Sequence, residues 1–428
     1  MKFPNGLVHS RLVGDGLWVS IGQALSAAGL ILGIRLQTEF VPPEVFGSAV
    51  LLVGISALVV GIACSPFAQG ALRYLPQAVE SGQENQFRWA MWKLVARNVA
   101  LAEIAMLLGV GGWTLLYGGP VITVFILAGV LIADSARTIE MAFYNGLRRQ
   151  RVYAAWAVAE AWGRPMLAVA FVMLYGAHAW TVVLGYLAAS SLNFFLFGCA
   201  PLLHAQRNRK TETTLAPHLI DTVRKYSRPL MPLGLVGWVS SLSDRYLIAG
   251  IVGVQQAGIY AAIYGLISRP FLMVQSTLEL TLRPVYFQAA AAGDRRREWR
   301  LYRRWLTLNT LAGAMLILFF ISASELIVGY LLGEQYKKSI VLIPYLAIGH
   351  LLLITAYNLN SYLYAHQYTK EIFFVSAVSA GVSVVIVALF ANLWGLIGAG
   401  IACIVYFGMQ AFILFWVIWQ RERRSDTV

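Results

Sequence analysis

Charged side chains are scarce in this chain, because Asp, Glu, Lys and Arg make up only 12% of its 428 residues, against roughly 25% in an average soluble domain. Hydrophobic residues make up 59%, and the mean hydropathy is +0.67. So few charges cannot cover globular cores with polar side chains, whereas a lipid bilayer accepts exposed apolar surface. The composition excludes a soluble protein and predicts an integral membrane protein.

Cysteine is rare as well. Cys64, Cys199 and Cys403 all lie in apolar stretches without C-x-x-C or Cys/His spacing, so neither a disulfide framework nor a metal site is predicted. The nucleotide-binding pattern GxxxxGK[ST] and the patterns GxSxG, HExxH and GxGxxG are absent. We therefore expect neither an enzyme nor a bound organic cofactor.

Long apolar runs dominate the chain instead. Twelve runs of at least 18 residues are continuous and rich in Leu, Ala, Val and Gly, whereas the strands of a membrane barrel alternate and measure about ten residues. A helix needs about 20 apolar residues to cross a bilayer, so the pattern predicts an all-α integral membrane protein with twelve transmembrane helices. The runs lie near residues 14–35, 45–71, 94–117, 120–145, 152–175, 179–203, 229–253, 257–282, 304–332, 340–364, 372–391 and 395–419.

Basic residues are distributed unevenly over the connections between these runs. Of the 33 lysines and arginines, only Arg35, Lys337 and Lys338 lie in one set of alternate connections, and four more lie within runs. Because basic connections mark the cytoplasmic side of a membrane protein, both termini are predicted to be cytoplasmic. The net charge of +13 is thus explained by topology, and no nucleic-acid partner is expected.

The two halves of the chain repeat one another. Gly47 and Arg73 are separated by 26 residues, Gly258 and Arg283 by 25, and a tryptophan follows each arginine after 16 residues. The shift of about 211 residues skips six runs, which predicts two six-helix lobes related by a pseudo-two-fold axis along the membrane normal, with a site between them. The lobes are predicted at residues 1–203 and 229–428, joined by a cytoplasmic linker at 204–228.

Several arginines fall inside or near the ends of the runs, although a charge at the bilayer centre costs about 2.5–3.5 kcal/mol and usually faces a cavity or a partner. A cavity rich in arginine suits a phosphate or pyrophosphate, because a guanidinium group can donate two parallel hydrogen bonds to phosphate oxygens. The candidates for substrate binding are Arg269, Arg245, Arg137, Arg164 and Arg35.

Acidic residues in the runs indicate a second ligand. A carboxyl group in the membrane interior can bind and release a proton near neutral pH, and Na+ can use the same oxygens. Transport coupled to H+ or Na+ is therefore expected. The candidates for ion coupling are Asp134, Asp244, Glu140, Glu160 and Glu279.

A second interpretation of the same residues stays open, in which they are neutralising pairs at helical spacing. Arg269 does not fit it, because its nearest acidic residue is ten positions away and Pro270 interrupts the hydrogen-bond ladder, as in a bent segment that lines a cavity. Arg35 lies near a helix end, where snorkelling is the alternative. The pairs are Arg137 with Asp134 or Glu140, Arg164 with Glu160, and Arg283 with Glu279.

The stretch SDRYLIAGIVGVQQAGIYAAIYGLISRP at residues 243–270 and the segment PPEVFG at residues 42–47 resemble polysaccharide-type flippases, the Wzx-type O-antigen and capsule flippases of the superfamily that includes the MATE exporters. The resemblance covers essentially the whole chain. It implies a MATE-like fold around a central cationic cavity and a polyprenyl-pyrophosphate oligosaccharide as substrate. The chain ends after its twelfth run, which argues against the related lipid II flippases with two extra helices.

We therefore expect a multi-pass flippase of the bacterial inner membrane that works by alternating access. Its partners would be the lipid-linked oligosaccharide, membrane lipids and other membrane proteins of polysaccharide assembly. A MATE-like exporter of cationic small molecules is one alternative, disfavoured because several arginines repel cations. A membrane-embedded glycan polymerase or ligase is the other, disfavoured because the predicted outer connections are only a few residues long.

Overall fold

The computed structural model describes residues 5–118, 120–207 and 217–425, and no strand occurs in these ranges. Fifteen α-helices are joined by short connections, a π-helical turn at Phe194–Gly198 and 3-10 helices at Arg228–Leu230 and Glu334–Leu342. The helices are α1 (Asn5–Phe40), α2 (Pro43–Ala63), α3 (Ser65–Glu80), α4 (Glu84–Tyr117), α5 (Ile122–Gly146), α6 (Gln150–Tyr175), α7 (Ala179–Asn193), α8 (Cys199–Arg207), α9 (Pro217–Ser227), α10 (Met231–Ile251), α11 (Val254–Ala291), α12 (Arg295–Ser322), α13 (Ser324–Leu331), α14 (Ile343–Ala365) and α15 (Thr369–Ser425).

Ten helical segments of the described residues are long and apolar enough to cross a membrane, so the chain is a multi-pass membrane protein. One of them, α15, is interrupted at Gly395, whose φ of 60° lies in the left-handed region. The predicted runs at 372–391 and 395–419 lie on the two sides of this break. Helix α10 is not among the ten. The count of twelve helices and the pseudo-two-fold axis stay predictions.

Two of the predicted runs are each divided into two helices. The run at 45–71 covers most of α2 and the first part of α3, which meet at Cys64. Pro66, in the first turn of α3, has no N–H to donate to a carbonyl of α2, so the helix cannot continue unbroken. The run at 304–332 contains most of α12 and all of α13, which meet at Ala323.

The chain forms two compact units, of which unit 1 consists of Met1–Val41 and Ser48–Trp238. Within it, α1 packs against α6, α6 against α7, and α5 against α3, α4 and α7. Helices α6 and α7 approach so closely that a Cβ atom at Gly185 would overlap the backbone of Ala168. Side chains of α3, α4 and α5, among them Phe87, Met91 and Phe143, form a fully buried apolar core.

The described part of the predicted linker belongs to unit 1. Helix α9 packs against α3, with Val223 fully buried and the guanidinium of Arg73 stacked 4.7 Å from the ring of Tyr226. Residues 208–216 of that linker lie outside the described residues. The predicted lobe and linker boundaries stay a prediction.

Unit 2 consists of Pro42–Gly47 and Val239–Val428. Helix α14 packs against α11, α12 and α15, and α11 packs against α12. The start of α2 contacts the start of α11, because a Cβ atom at Gly258 would overlap the carbonyl oxygen of Pro43. Glycine is therefore required where the PPEVFG segment at residues 42–47 contacts the stretch at residues 243–270.

Candidate functional site

Arg164 is the centre of a buried charged network in unit 1. Its Nε donates to Oε1 of Glu160 at 2.6 Å, because residues four apart lie on the same face of α6. Its Nη2 is hydrogen-bonded and ion-paired to the carboxylate of Asp134 on α5, and donates to Oγ of Ser190 on α7 at 2.8 Å. One arginine thus joins three helices, and Asn193 completes the network by donating to Oε2 of Glu160 at 2.8 Å.

Arg137 adds a second guanidinium to this network. Its Nε lies 3.7 Å from Oδ1 of Asp134, which is an ion pair but too long for a hydrogen bond, and this buried nitrogen has no hydrogen-bond partner in the structure. The two arginines face two carboxylates, so the formal charges of the network balance. The pairs Arg164 with Glu160 and Arg137 with Asp134 occur as the alternative interpretation expects, but the contact of Arg164 with Asp134 was not predicted.

Glu140 lies in a different, fully buried environment of unit 1. Nε1 of Trp92 donates to its Oε1 at 2.6 Å, and Nη2 of Arg88 lies 3.8 Å from its Oε2. Arg88 stacks 4.8 Å from the ring of Phe143 and is only 3% exposed. Sequence reasoning assigned Arg88 to a cytoplasmic connection, because the apolar run begins at residue 94, whereas α4 begins ten residues earlier. Phe87 and Met91 are apolar and four residues apart, as on one buried face of a helix. This spacing was the signal that could have placed Arg88 in a helix.

Unit 2 contains the Asp244-Arg245 pair of α10. Oδ1 of Asp244 accepts from the backbone N–H of Arg245 at 2.8 Å and from its Nη1 at 3.0 Å, while Oδ2 accepts from the hydroxyl of Tyr260 at 2.9 Å. Nη1 of Arg245 also donates to the carbonyl of Ser241 at 2.6 Å. The carboxylate and the carbonyl therefore hold one edge of the guanidinium. Nε and Nη2, the other edge, have no hydrogen-bond partner among the described residues.

An aromatic ring stacks on this guanidinium. The ring of Tyr264 lies 4.5 Å from the guanidinium carbon of Arg245, and the ring of His350 packs edge-on against Tyr264 at 4.7 Å. Nδ1 of His350 is hydrogen-bonded to the carbonyl of Leu346 at 2.7 Å. A stacked guanidinium keeps its charge and its in-plane donors, so Arg245 is oriented and still able to bind an anion.

Arg269 lies one helix further along the chain, on α11, directly before Pro270. Its buried Nε has no hydrogen-bond partner, and no acidic side chain forms an ion pair with it in the described part of the chain. The positive charge of Arg245 is close enough to repel that of Arg269. Two arginines and one aspartate therefore leave this part of unit 2 with one positive charge that the described residues do not neutralise.

The remaining candidates form local pairs. Arg35 is ion-paired with Glu39 at the end of α1, and Glu279 with Arg283 on α11. In both pairs each side chain is about one third to one half exposed. Surface pairs of this kind contribute little to stability.

The sequence of the chain matches a known protein family. A family model described as "Polysaccharide biosynthesis protein" matches residues 43–341, a range that contains every charged residue of both networks. The chain belongs to the polysaccharide biosynthesis protein family. A search of curated proteins gives no match.

Solved structures with a similar fold are transporters. The structure titled "Lipid II flippase MurJ, inward closed conformation" has a TM-score of 0.69 at 13% identity, covering 94% of this chain and 87% of that chain. An inward-facing multidrug resistance MATE family transporter of the MOP superfamily has a TM-score of 0.66 at 14% identity, covering 94% and 95%. A mutant of the Vibrio cholerae MATE transporter VcmN has 0.61 at 14%, covering 96% and 98%. The predicted family resemblance is confirmed, and at these identities the structures establish a shared fold and not a substrate.

Proposed function

We propose that this member of the polysaccharide biosynthesis protein family is a flippase that moves a polyprenyl-pyrophosphate oligosaccharide from the inner to the outer leaflet of the bacterial inner membrane. The observation that carries the proposal is the positive charge of Arg269, which no described acidic residue neutralises, beside an Arg245 whose free edge can donate hydrogen bonds. A charge inside a membrane protein usually faces a cavity or a partner. In this proposal the pyrophosphate of the substrate is that partner.

The chemistry of the two arginines fits a pyrophosphate. Asp244 and Ser241 fix the orientation of the Arg245 guanidinium through Nη1, so Nε and Nη2 are left to form the paired contacts that a phosphate group accepts. Arg269 adds a second guanidinium, which donates no hydrogen bond to an acceptor among the described residues. Arg137, Arg164 and Arg35, which already pair with carboxylates, are proposed as weaker contacts along the path of the substrate.

The network of unit 1 is proposed to couple transport to H+ or Na+. Asp134 and Glu160 share one arginine, so protonation of either carboxylate would release Arg164 from one of its partners and change the contacts between α5, α6 and α7. Asp244 could act in the same way through Tyr260. Glu140 and Glu279 are proposed as secondary candidates. No chemical reaction is proposed, and the protein would act as a carrier and not as an enzyme.

The topology that we propose has twelve crossings in two parallel lobes with both termini in the cytoplasm. It is supported by the asymmetry of the basic residues and by the two helical arms on either side of Gly395. The lobes would rock about the bound head group, as in other carriers built from repeats. The prenyl tail would stay in the lipid.

A MATE-like exporter of cations is the second candidate, favoured by the fold shared with MATE transporters. The surplus positive charge of Arg245 and Arg269 over Asp244 disfavours it, because a cationic substrate would have to approach an unneutralised guanidinium. The two functions predict opposite effects of removing Arg269. An anion carrier would lose transport, whereas a cation exporter would keep or gain it.

The test is transfer of a fluorescent polyprenyl-diphosphate sugar between leaflets of liposomes that contain equal amounts of Arg269→Ala, Arg269→Lys or unchanged protein. A hydrogen bond to a charged group is worth roughly 1.5–3 kcal/mol, so the alanine variant should transfer the lipid at least about ten times more slowly, and lysine should restore part of the rate. Arg224→Ala, which removes an exposed guanidinium on α9, is the matched control. Equal rates for Arg269→Ala and the unchanged protein would remove Arg269 from the binding role.

A further inference from the structure

Helix α12 has two different faces along its length. One face is buried in unit 2, and the opposite face exposes large apolar side chains in the part that crosses the membrane. The buried residues are Glu298, Tyr302, Trp305, Asn309, Gly313 and Phe320. The exposed residues are Leu308, Leu311, Met315, Leu318 and Phe319.

The exposed face ends in arginines. Arg304, Arg300 and Arg297 precede Leu308 by four, eight and eleven residues, and this spacing keeps them on the same face of an α-helix as the apolar residues. All three are exposed, as are Arg296 and Arg303 at the border of the same face. We call Arg297, Arg300 and Arg304 the arginine ridge. It continues the face that borders the acyl chains.

The depth of the arginine ridge matches the lipid head groups. At a rise of 1.5 Å per residue, Arg304 and Arg300 lie about 6 and 12 Å beyond Leu308 along the helix axis. The head-group layer extends roughly 5–8 Å beyond the hydrocarbon core on each side of a bilayer. Flexible arginine side chains easily span the difference, so their guanidinium groups can reach the lipid phosphates.

The arginine ridge has no counter-charge in the described part of the protein. No acidic side chain there forms an ion pair with Arg297, Arg300 or Arg304. Glu298, the acidic residue closest to them in sequence on α12, is buried on the opposite face, where it accepts from the hydroxyl of Tyr286 at 3.2 Å and lies 3.3 Å from Nε2 of His366. An anion that neutralises the ridge must come from outside the chain.

We propose that the arginine ridge is a binding site for an anionic phospholipid of the surrounding leaflet. The guanidinium groups of Arg300 and Arg304 donate to its phosphate, Arg297 adds long-range attraction, and its acyl chains lie along Leu308, Leu311 and the rest of the exposed apolar face. Phosphate and apolar tail are recognised by one continuous helix face. The substrate of the proposed flippase also carries phosphate, but a lipid of the bulk membrane is favoured because the arginine ridge continues a face of exposed apolar side chains.

The experiment uses the full-length protein in detergent micelles, titrated with phosphatidylglycerol, phosphatidylcholine or undecaprenyl diphosphate, with bound lipids counted by native mass spectrometry. The test variant is Arg300→Gln with Arg304→Gln. The matched control is Arg149→Gln with Arg151→Gln, which removes two exposed arginines, one directly before α6 and one in its first turn. A second variant, Arg300→Lys with Arg304→Lys, keeps the charge but removes the forked donors, and melting temperatures check that each variant is folded.

We expect the unchanged protein and the control to retain phosphatidylglycerol over phosphatidylcholine by at least ten-fold, the glutamine variant to lose roughly ten-fold or more of that preference, and the lysine variant to keep part of it. Retention of phosphatidylglycerol by the glutamine variant at the level of the control would overturn the proposal. So would a variant that loses only undecaprenyl diphosphate, because the ridge would then bind the substrate. Neither result depends on whether Arg269 takes part in transport.

Discussion

Removal of Arg164 should destabilise the protein more than removal of any other arginine discussed above. In an Arg164→Met variant, Asp134 and Glu160 lose their shared guanidinium although both side chains are about nine-tenths buried. Breaking a buried ion pair by removing one partner costs about 3–5 kcal/mol, and here two carboxylates lose the same partner. The ratio of folded to unfolded protein should fall by a factor between about 10² and 10⁴.

The cost should come from the stranded carboxylates and not from the missing side chain. A quadruple variant, Arg164→Met and Arg137→Met with Asp134→Asn and Glu160→Gln, removes all four charges of the network and keeps an amide oxygen that can accept from Asn193. Replacing a whole buried charged cluster by neutral residues is often neutral or stabilising. We therefore expect the quadruple variant to recover most of the lost stability.

Thermal unfolding of the purified protein in one detergent, followed by the loss of monomeric protein, measures both effects. Arg269→Met is the matched control, since it removes a half-buried guanidinium that leaves no carboxylate behind, and it should change the melting temperature little. If Arg164→Met melts at the same temperature as the unchanged protein, or if the quadruple variant melts below the single one, the network does not hold the three helices as argued.

Three further results are expected. Arg88→Met should lower the melting temperature through loss of about 3–5 kcal/mol, because it leaves the fully buried carboxylate of Glu140 without the one cationic partner it has in the described part of the chain; the double variant with Glu140→Gln should recover it, and failure to recover would contradict this account. Gly185→Leu should separate α6 from α7 and reduce the yield of folded protein in size-exclusion chromatography, whereas an unchanged profile and melting point would show that the helices can move apart freely. Burial lowers the pKa of His366, an effect opposed by the nearby carboxylate of Glu298. The folded state then binds fewer protons than the unfolded state, so the free energy of unfolding should fall as the pH drops below about 6.5. His366→Gln should reduce this dependence in melting curves between pH 7.5 and 5.5, and equal slopes would refute it.

Contacts within one helix could be predicted from the sequence, and contacts between helices could not. Glu160 and Arg164 are four residues apart, so helical geometry alone brings them together. Asp134 is 30 residues from Arg164, and only the packing of α5 against α6 and α7 makes it a second partner. The spacing rule therefore identified a pair where the folded chain contains a network.

The fold class was predictable because the signal is additive over long stretches. Apolar runs of about 20 residues are hard to mistake, and the family resemblance in residues 42–47 and 243–270 proved correct. Helix limits were less predictable, because a hydropathy pattern does not register where polar residues continue a helix. Arg88 illustrates this, since the polar first turns of α4 made a buried arginine look like part of a loop. Arg269 was identified correctly as lacking an acidic neighbour, and the folded structure supplies none among the described residues.

The unneutralised charge of Arg269 makes the return of the unloaded carrier depend on the membrane potential. If the lipid-borne anion is its only counter-ion, an unloaded carrier returns across the bilayer with this positive charge uncompensated. An interior-negative membrane potential then works on the returning step, with about 2.3 kcal/mol for each elementary charge and 100 mV. The voltage would draw the vacant site back toward the cytoplasm, the side from which the proposed flippase takes its substrate. Proteoliposomes with an imposed potassium diffusion potential should therefore turn over faster at negative than at positive interior voltage, and Arg269→Gln should lose that difference.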